Sequence, residues 1–186
     1  MEQAGEHRIA APRARVWDAL NDPEVLKRCI DGCEELTRAG DNAFHAVVRA
    51  KIGPVSAAFA GDVALKDLDP PNGYTLEVSA KGGAAGFARG TARVALKEDG
   101  DATVLAYVAE GRVGGKLAQI GQRLIDAAAR KTADDFFEAL ARELGPPTEG
   151  AAPATGKPRS SPLLVWGGVA AVLVALGLLA WRLIGG

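Results

Sequence analysis

The spacing of apolar positions changes period several times along this chain. A short alternating run from Gln3 to Ala10 predicts a strand. Pro12 then opens a helix carrying Val16, Trp17 and Leu20, and Asp22-Pro23 ends it and caps a second short helix. From Leu36 to Gly111 the period is two, broken at Gly40-Asp41-Asn42, Gly53-Pro54, the Asp69 to Gly73 turn, Gly82-Gly83 and Asp99-Gly100-Asp101. That pattern predicts an antiparallel meander of about six strands. From Gly115 to Leu144 no proline occurs, Gly121 is the sole interior glycine, and Leu117, Ile120, Leu124, Ala128, Phe136, Leu140 and Leu144 recur at helical spacing. One long amphipathic helix is expected there, giving an α+β fold whose curved sheet wraps its last helix.

Charges fix the phase of each strand. Arg49 and Lys51, Asp62 and Lys66, Glu77 and Lys81, Arg89 and Arg93, and Glu110 and Arg112 must face water. The opposite face then runs through Phe44, Ala46, Val48, Ala50 and Ile52, then Val55 to Leu65, Tyr74 to Ala80, Ala88 to Leu96 and Leu105 to Gly111 at every second residue. Of these 24 positions ten are Ala or Gly. Interiors pack at a density of about 0.75, so this many small side chains leave an apolar cavity between sheet and helix, with Tyr74 and Tyr107 as its polar handles. The opposing possibility is that Gly121 and Ala127 to Ala129 let the helix nest tightly.

Beyond Gly145 the periodicity stops. Residues 146–162 are rich in Pro, Gly, Ala and Ser, a linker composition. From Leu163 to Trp181 no charge occurs, and a helix over that run rises roughly 28 Å, the thickness of a bilayer's hydrocarbon core. The expected organisation is therefore a domain over 1–145, a linker over 146–162 and a transmembrane helix over 163–182. Trp166 and Trp181 fall where interfacial indoles are favoured, and Leu163 and Arg182 bound the anchor. Lys157 and Arg159 on the domain side outnumber Arg182, and the first residues lack a signal-peptide profile. Both point to a tail anchor in the cytoplasmic membrane with the domain facing the cytoplasm.

Composition narrows function mainly by exclusion. The 22 Lys plus Arg and 23 Asp plus Glu give a net charge of -1, without basic clusters interleaved with aromatics, so nucleic acid is not an expected partner. Cys29 and Cys33 are the two cysteines, with no second pair and no neighbouring histidine, so no metal is expected and both thiols read as packing groups. The glycine-rich run around Gly82 to Gly90 leads into a strand rather than a helix, so it lacks the mechanics of a phosphate cradle. Neighbouring acids such as Glu34-Glu35 and Asp134-Asp135 point apart and read as solvated surface. No catalytic constellation stands out, and an enzyme is not expected.

Four segments carry a resemblance: DPEVLKRCIDGCEEL from Asp22, GPVSAAFAGDVAL from Gly53, KGGAAGFARGTARV from Lys81 and GGKLAQIGQRLIDAAARKTADDFFEAL from Gly114. Over roughly residues 1 to 144 the chain resembles the carbon monoxide dehydrogenase G-subunit family, a branch of the START-like, polyketide-cyclase-like (SRPBCC) superfamily with a helix-grip fold. It departs from the family pattern at Asp31, where Pro is usual, and at Thr132, where Met is usual. The resemblance implies a membrane-anchored accessory protein that recruits a molybdenum-containing carbon monoxide dehydrogenase or related hydroxylase. It also implies lipid-like ligand binding under the last helix, with a quinone such as menaquinone or ubiquinone as the natural electron-transfer ligand.

The cavity residues expected on this reading are Phe59, Gly61, Tyr74 and Tyr107 on the sheet and Leu117, Ile120, Gly121 and Leu124 on the helix. Two rival readings share the same fold. One is a ligand-free anchor; the other is a cyclase or hydrolase acting on an apolar substrate through Tyr74, Tyr107 or His45.

Overall fold

The computed structural model describes residues 2–145. The expected linker over 146–162 and the expected membrane span over 163–182, with Leu163, Trp166, Trp181 and Arg182, lie outside the described residues. Among the described residues no helix is long and apolar enough to cross a membrane.

The chain runs through β1 (Glu2–Ile9), α1 (Arg13–Leu20), α2 (Pro23–Cys29), β2 (Cys33–Gly40), β3 (Ala43–Ile52), β4 (Val55–Asp69), β5 (Gly73–Lys81), β6 (Phe87–Asp99), β7 (Ala102–Gly114) and α3 (Gln122–Leu144). All seven strands form one antiparallel sheet in the order β1-β7-β6-β5-β4-β3-β2. Consecutive strands from β2 to β7 pair through short turns, whereas β1 pairs with β7 across the length of the meander. Strands as long as β4, at 15 residues, twist and coil, and the sheet curls around α3.

The expected strand phase is the observed one. Every charged position assigned to water is exposed, and the opposite face is buried except at Ala50, Val55, Ala57 and Gly90, which are half-buried. α3 buries Ile125, Ala129, Ala133, Phe136, Phe137, Leu140 and Leu144, a stripe spaced by three and four residues. α1 and α2 close the remaining side. Pro23 occupies the first turn of α2, and the Asp22 carboxylate accepts from the Glu24 N–H at 2.9 Å. Both short helices are tied to the end of α3: Arg28 forks onto Glu143 at 2.9–3.1 Å, and Arg15 donates to the Leu144 carbonyl at 3.1 Å.

One element differs from expectation. The long helix begins at Gln122, and the residues before it, Gly115–Ile120, form a 3-10 helix set off by Gly115 and Gly121. Those glycines have φ of +75° and +92°, values an α-helix interior excludes. The apolar period that ran through Leu117 and Ile120 is therefore tertiary packing of a separate turn, not continuation of α3.

Candidate functional site

The concave wall facing α3 is built in rows across β5, β6 and β7. Register places Tyr74 opposite Val94, Val94 opposite Tyr107 and Tyr107 opposite Gly5. Neighbouring rows run Leu76, Ala92, Ala109 and Val78, Gly90, Gly111. The middle of the wall is thus a lane of small residues, and Gly90 is half-buried although it faces inward.

Between β3 and α3 the wall and helix separate into a cleft of about 330 Å³. Its apolar lining comes from Val48, Ala50 and Ile52 on β3 and from Ala128 and Phe136 on α3. Phe136 is fully buried behind it, while Ala50 and Ala128 are half-buried, so the small side chains form its open part. The volume lies at the lower end of the range for small-molecule sites. Polar groups stand at the rim: Thr132, the Lys131–Asp135 ion pair one turn apart, and Asp31. Asp135, with Asp31 beyond it, holds the Lys131 ammonium above its usual range.

The Asp31-Gly32 loop is pressed against β3, the Arg49 N–H donating to the Gly32 carbonyl at 2.8 Å. A Cβ on Gly32 would lie 2.2 Å from the Arg49 carbonyl oxygen, and φ is +71°, so glycine is required for this loop to sit at the rim. The arrangement suits a molecule with an apolar body between strand and helix and a polar end near the surface.

The expected cavity residues do not come together as one lining. Phe59, Tyr74, Tyr107 and Leu117 are buried, but in different parts of the core. Phe59 packs beneath Gly82, whose Cβ would fall 2.4 Å from its ring. Gly61 leaves no space, because a Cβ there would meet that of Ala80 at 2.8 Å; it permits close approach. Tyr74 meets Trp17 of α1 edge-on at 5.5 Å, and Tyr107 stacks on Phe137 at 5.7 Å. They are two strands apart, roughly 10 Å.

Ile120 and Leu124 lie over Gly53 at the β3–β4 turn, and Leu124 is 51% exposed. Gly121 is the residue before α3, with open space where a Cβ would be. A Phe there strains the backbone before it fills anything. Sequence reasoning missed the β3–α3 cleft; its signal was the pairing of small inward residues, Ala50 opposite Ala57, with Ala128 on the helix.

Titratable groups lie around this interior. The Tyr74 hydroxyl is buried without a hydrogen-bond partner among the described residues, and burial raises its pKa, leaving a neutral phenol. Tyr107 is raised by burial and by Asp134, against Arg130. His7 stacks on Phe137 at 4.1 Å, and burial lowers its pKa against the pull of Asp134. His45 sits on the outer face, 2.9 Å from Asp62, and so is turned away from Tyr74 and Tyr107. Burial first, and Glu143 second, push the Cys29 thiol up to about 11, and Cys33 is also raised by burial. Neither is an activated nucleophile. No cluster of potential metal ligands occurs among the described residues.

A curved antiparallel sheet gripping one long C-terminal helix, with an apolar cleft between them, defines a START-like helix-grip domain. The chain belongs to the carbon monoxide dehydrogenase G-subunit (CoxG) family, whose model matches residues 5–145. Membership associates it with carbon monoxide dehydrogenase in an accessory capacity.

Among solved structures it is similar to a conserved protein from Geobacillus kaustophilus, at 30% identity and a TM-score of 0.73, covering 77% of this chain and 95% of that one. A Thermus thermophilus protein matches at 17% identity and a TM-score of 0.57, over 77% and 97% of the two chains. A Chromobacterium violaceum protein matches at 17% identity and 0.58, over 78% and 98%; these two share the fold. The comparison with curated proteins finds no match.

Proposed function

We propose that this protein is a membrane-anchored carrier and docking subunit for a molybdenum-containing carbon monoxide dehydrogenase or related hydroxylase. The domain holds an apolar, quinone-like molecule of the menaquinone or ubiquinone kind beneath α3. It binds and presents this molecule without turning it over, at the cytoplasmic face of a membrane entered by residues 163–182. The observation that carries the reading is the β3–α3 cleft: about 330 Å³, apolar inside and polar at its rim, in a chain of this family.

The fit to a quinone is chemical. The ring and isoprenoid chain need an apolar slot, and the carbonyl oxygens need donors. Lys131 and Thr132 stand at the rim. The 19-residue uncharged run after the linker supports the anchor.

The test is native mass spectrometry of full-length protein extracted gently from its own membranes, followed by organic extraction. A stoichiometric quinone or other isoprenoid is the expected result. Empty protein that still brings the hydroxylase to membranes would replace the carrier with a plain anchor.

A further inference from the structure

An antiparallel meander sends alternate turns to opposite ends of the sheet, and in this chain the two ends carry opposite charge. At one end are the β3–β4 turn, the β5–β6 connection and the segment from β7 into α3. They meet there: Gly53 lies against Ile120 and Leu124, and Gly86 backs directly onto the Gly114 carbonyl. Residues 51–55, 81–89 and 112–124 supply Lys51, Lys81, Arg89, Arg112, Lys116 and Arg123, all exposed, and contain no Asp or Glu. None of these six is in an ion pair among the described residues. Glu110 and Asp126 follow or precede these stretches in sequence, and Asp31 and Asp135 stand with Lys51 around the cleft. The opposite turns, residues 41–42, 67–72 and 98–101, carry Asp41, Asp67, Asp69, Glu98, Asp99 and Asp101 and no Lys or Arg.

The basic end is also where apolar side chains are left in water. Leu124 is 51% and Phe87 42% exposed, Pro54 is exposed and Ile120 half-buried. Arg89 lies over the Phe87 ring at 5.6 Å. Isolated apolar tips on short glycine-bearing loops, ringed by long cationic side chains, match the headgroup layer of an anionic bilayer. Apolar tips enter the acyl boundary while Lys and Arg meet the phosphates. Ala50, Lys51 and Ile52 line the β3–α3 cleft and run straight into the β3–β4 turn, which places the cleft beside this end.

We infer that this basic, apolar-tipped end is a second membrane contact, which sets the mouth of the cleft against anionic lipid. The inference rests on the membrane reading above for the nearness of a bilayer, and the tether permits it. α3 is about 35 Å long, and any seventeen-residue stretch, the length of 146–162, can span at most about 60 Å, so chain length does not forbid the start of α3 from facing the membrane.

The test is hydrogen exchange by mass spectrometry on the full chain, with vesicles of phosphatidylcholine alone or mixed with phosphatidylglycerol. Resistance to carbonate extraction is read in parallel and reports insertion of the tail separately. In the anionic vesicles the amides of 52–55, 82–87 and 115–124 slow at least fivefold relative to neutral vesicles, while 67–73 and 99–102 do not change. The difference disappears in 1 M salt, where the Debye length is about 3 Å. It also shrinks to less than twofold in the Lys116→Gln/Arg123→Gln variant, whose side chains are exposed and whose far-UV spectrum should be unaltered.

If the tail fails to insert but the anionic protection remains, the anchor reading falls and this one stands. Equal exchange in both vesicle types overturns it, whether or not the tail inserts. So does a tip that is indifferent to lipid but protected by the hydroxylase, which would make this end a protein-docking surface.

Discussion

Ala128→Leu separates an open cleft from a tightly seated helix by the sign of its effect. Ala128 projects from α3 into a space of about 330 Å³ and is half-buried. Leucine adds three carbons, worth roughly 0.8 kcal/mol each when fully buried, so at half burial the gain is about 1 kcal/mol. Alanine and leucine are both strong helix formers, so propensity changes little. In a domain of this size the gain raises Tm by about 2–4 °C. The same carbons occupy the slot assigned to the ligand, and affinity for a short-chain quinone should drop at least tenfold.

The assay is urea unfolding of detergent-solubilised full-length protein followed by far-UV circular dichroism, paired with quinone titration. Stabilisation together with lost binding is the expected outcome. A loss exceeding about 1 kcal/mol is the signature of overpacking and would refute the open cleft. Stabilisation with undiminished binding would place the ligand elsewhere.

Tyr74→Phe removes a buried hydroxyl that has no partner, so unfolding free energy should stay level or rise by up to about 1 kcal/mol; a loss above about 2 kcal/mol would mean the hydroxyl is bonded. Gly86→Ala meets the Gly114 carbonyl oxygen at 1.9 Å with φ at +114°, and should cost on the order of 3 kcal/mol in urea unfolding. His7 has a pKa lowered from 6.5, so the unfolded chain takes its proton first as pH falls. Its contribution is complete above pH 6.5 and is lost as pH falls from there through the folded value. His7→Gln should flatten the stability profile below about pH 6.5, and an unchanged slope would exclude His7 as its source.

β3 to β7 were readable because each carries charges that fix its outer face, and a one-residue error would have buried Arg49 or Glu77. The helix start was not readable: Leu117 and Ile120 kept an α-helical interval by coincidence, and only the positive φ of Gly115 and Gly121 breaks it. The site was half legible. Small inward residues do leave space, but composition could not say where along the sheet. Gly61 looks like a void in sequence and proves to be a close approach to Ala80, while Ala50 looks ordinary and opens the cleft. Such distinctions depend on sheet curvature, which no local pattern encodes.

The pairing of β1 with β7 orders events in time as well as in space. Glu2 pairs with Glu110, so β1 has no partner until almost the whole meander exists. Every other neighbour in the sheet is a hairpin closed by a short turn. Contacts separated by about a hundred residues are slow to form, because the loop between them must first lose its freedom. During synthesis β1 therefore waits, and β7 stays a bare edge until β1 returns to cover it. Truncating β1 would leave that edge permanently open to another chain's strand, and the damage would show as self-association before it showed as lost helix.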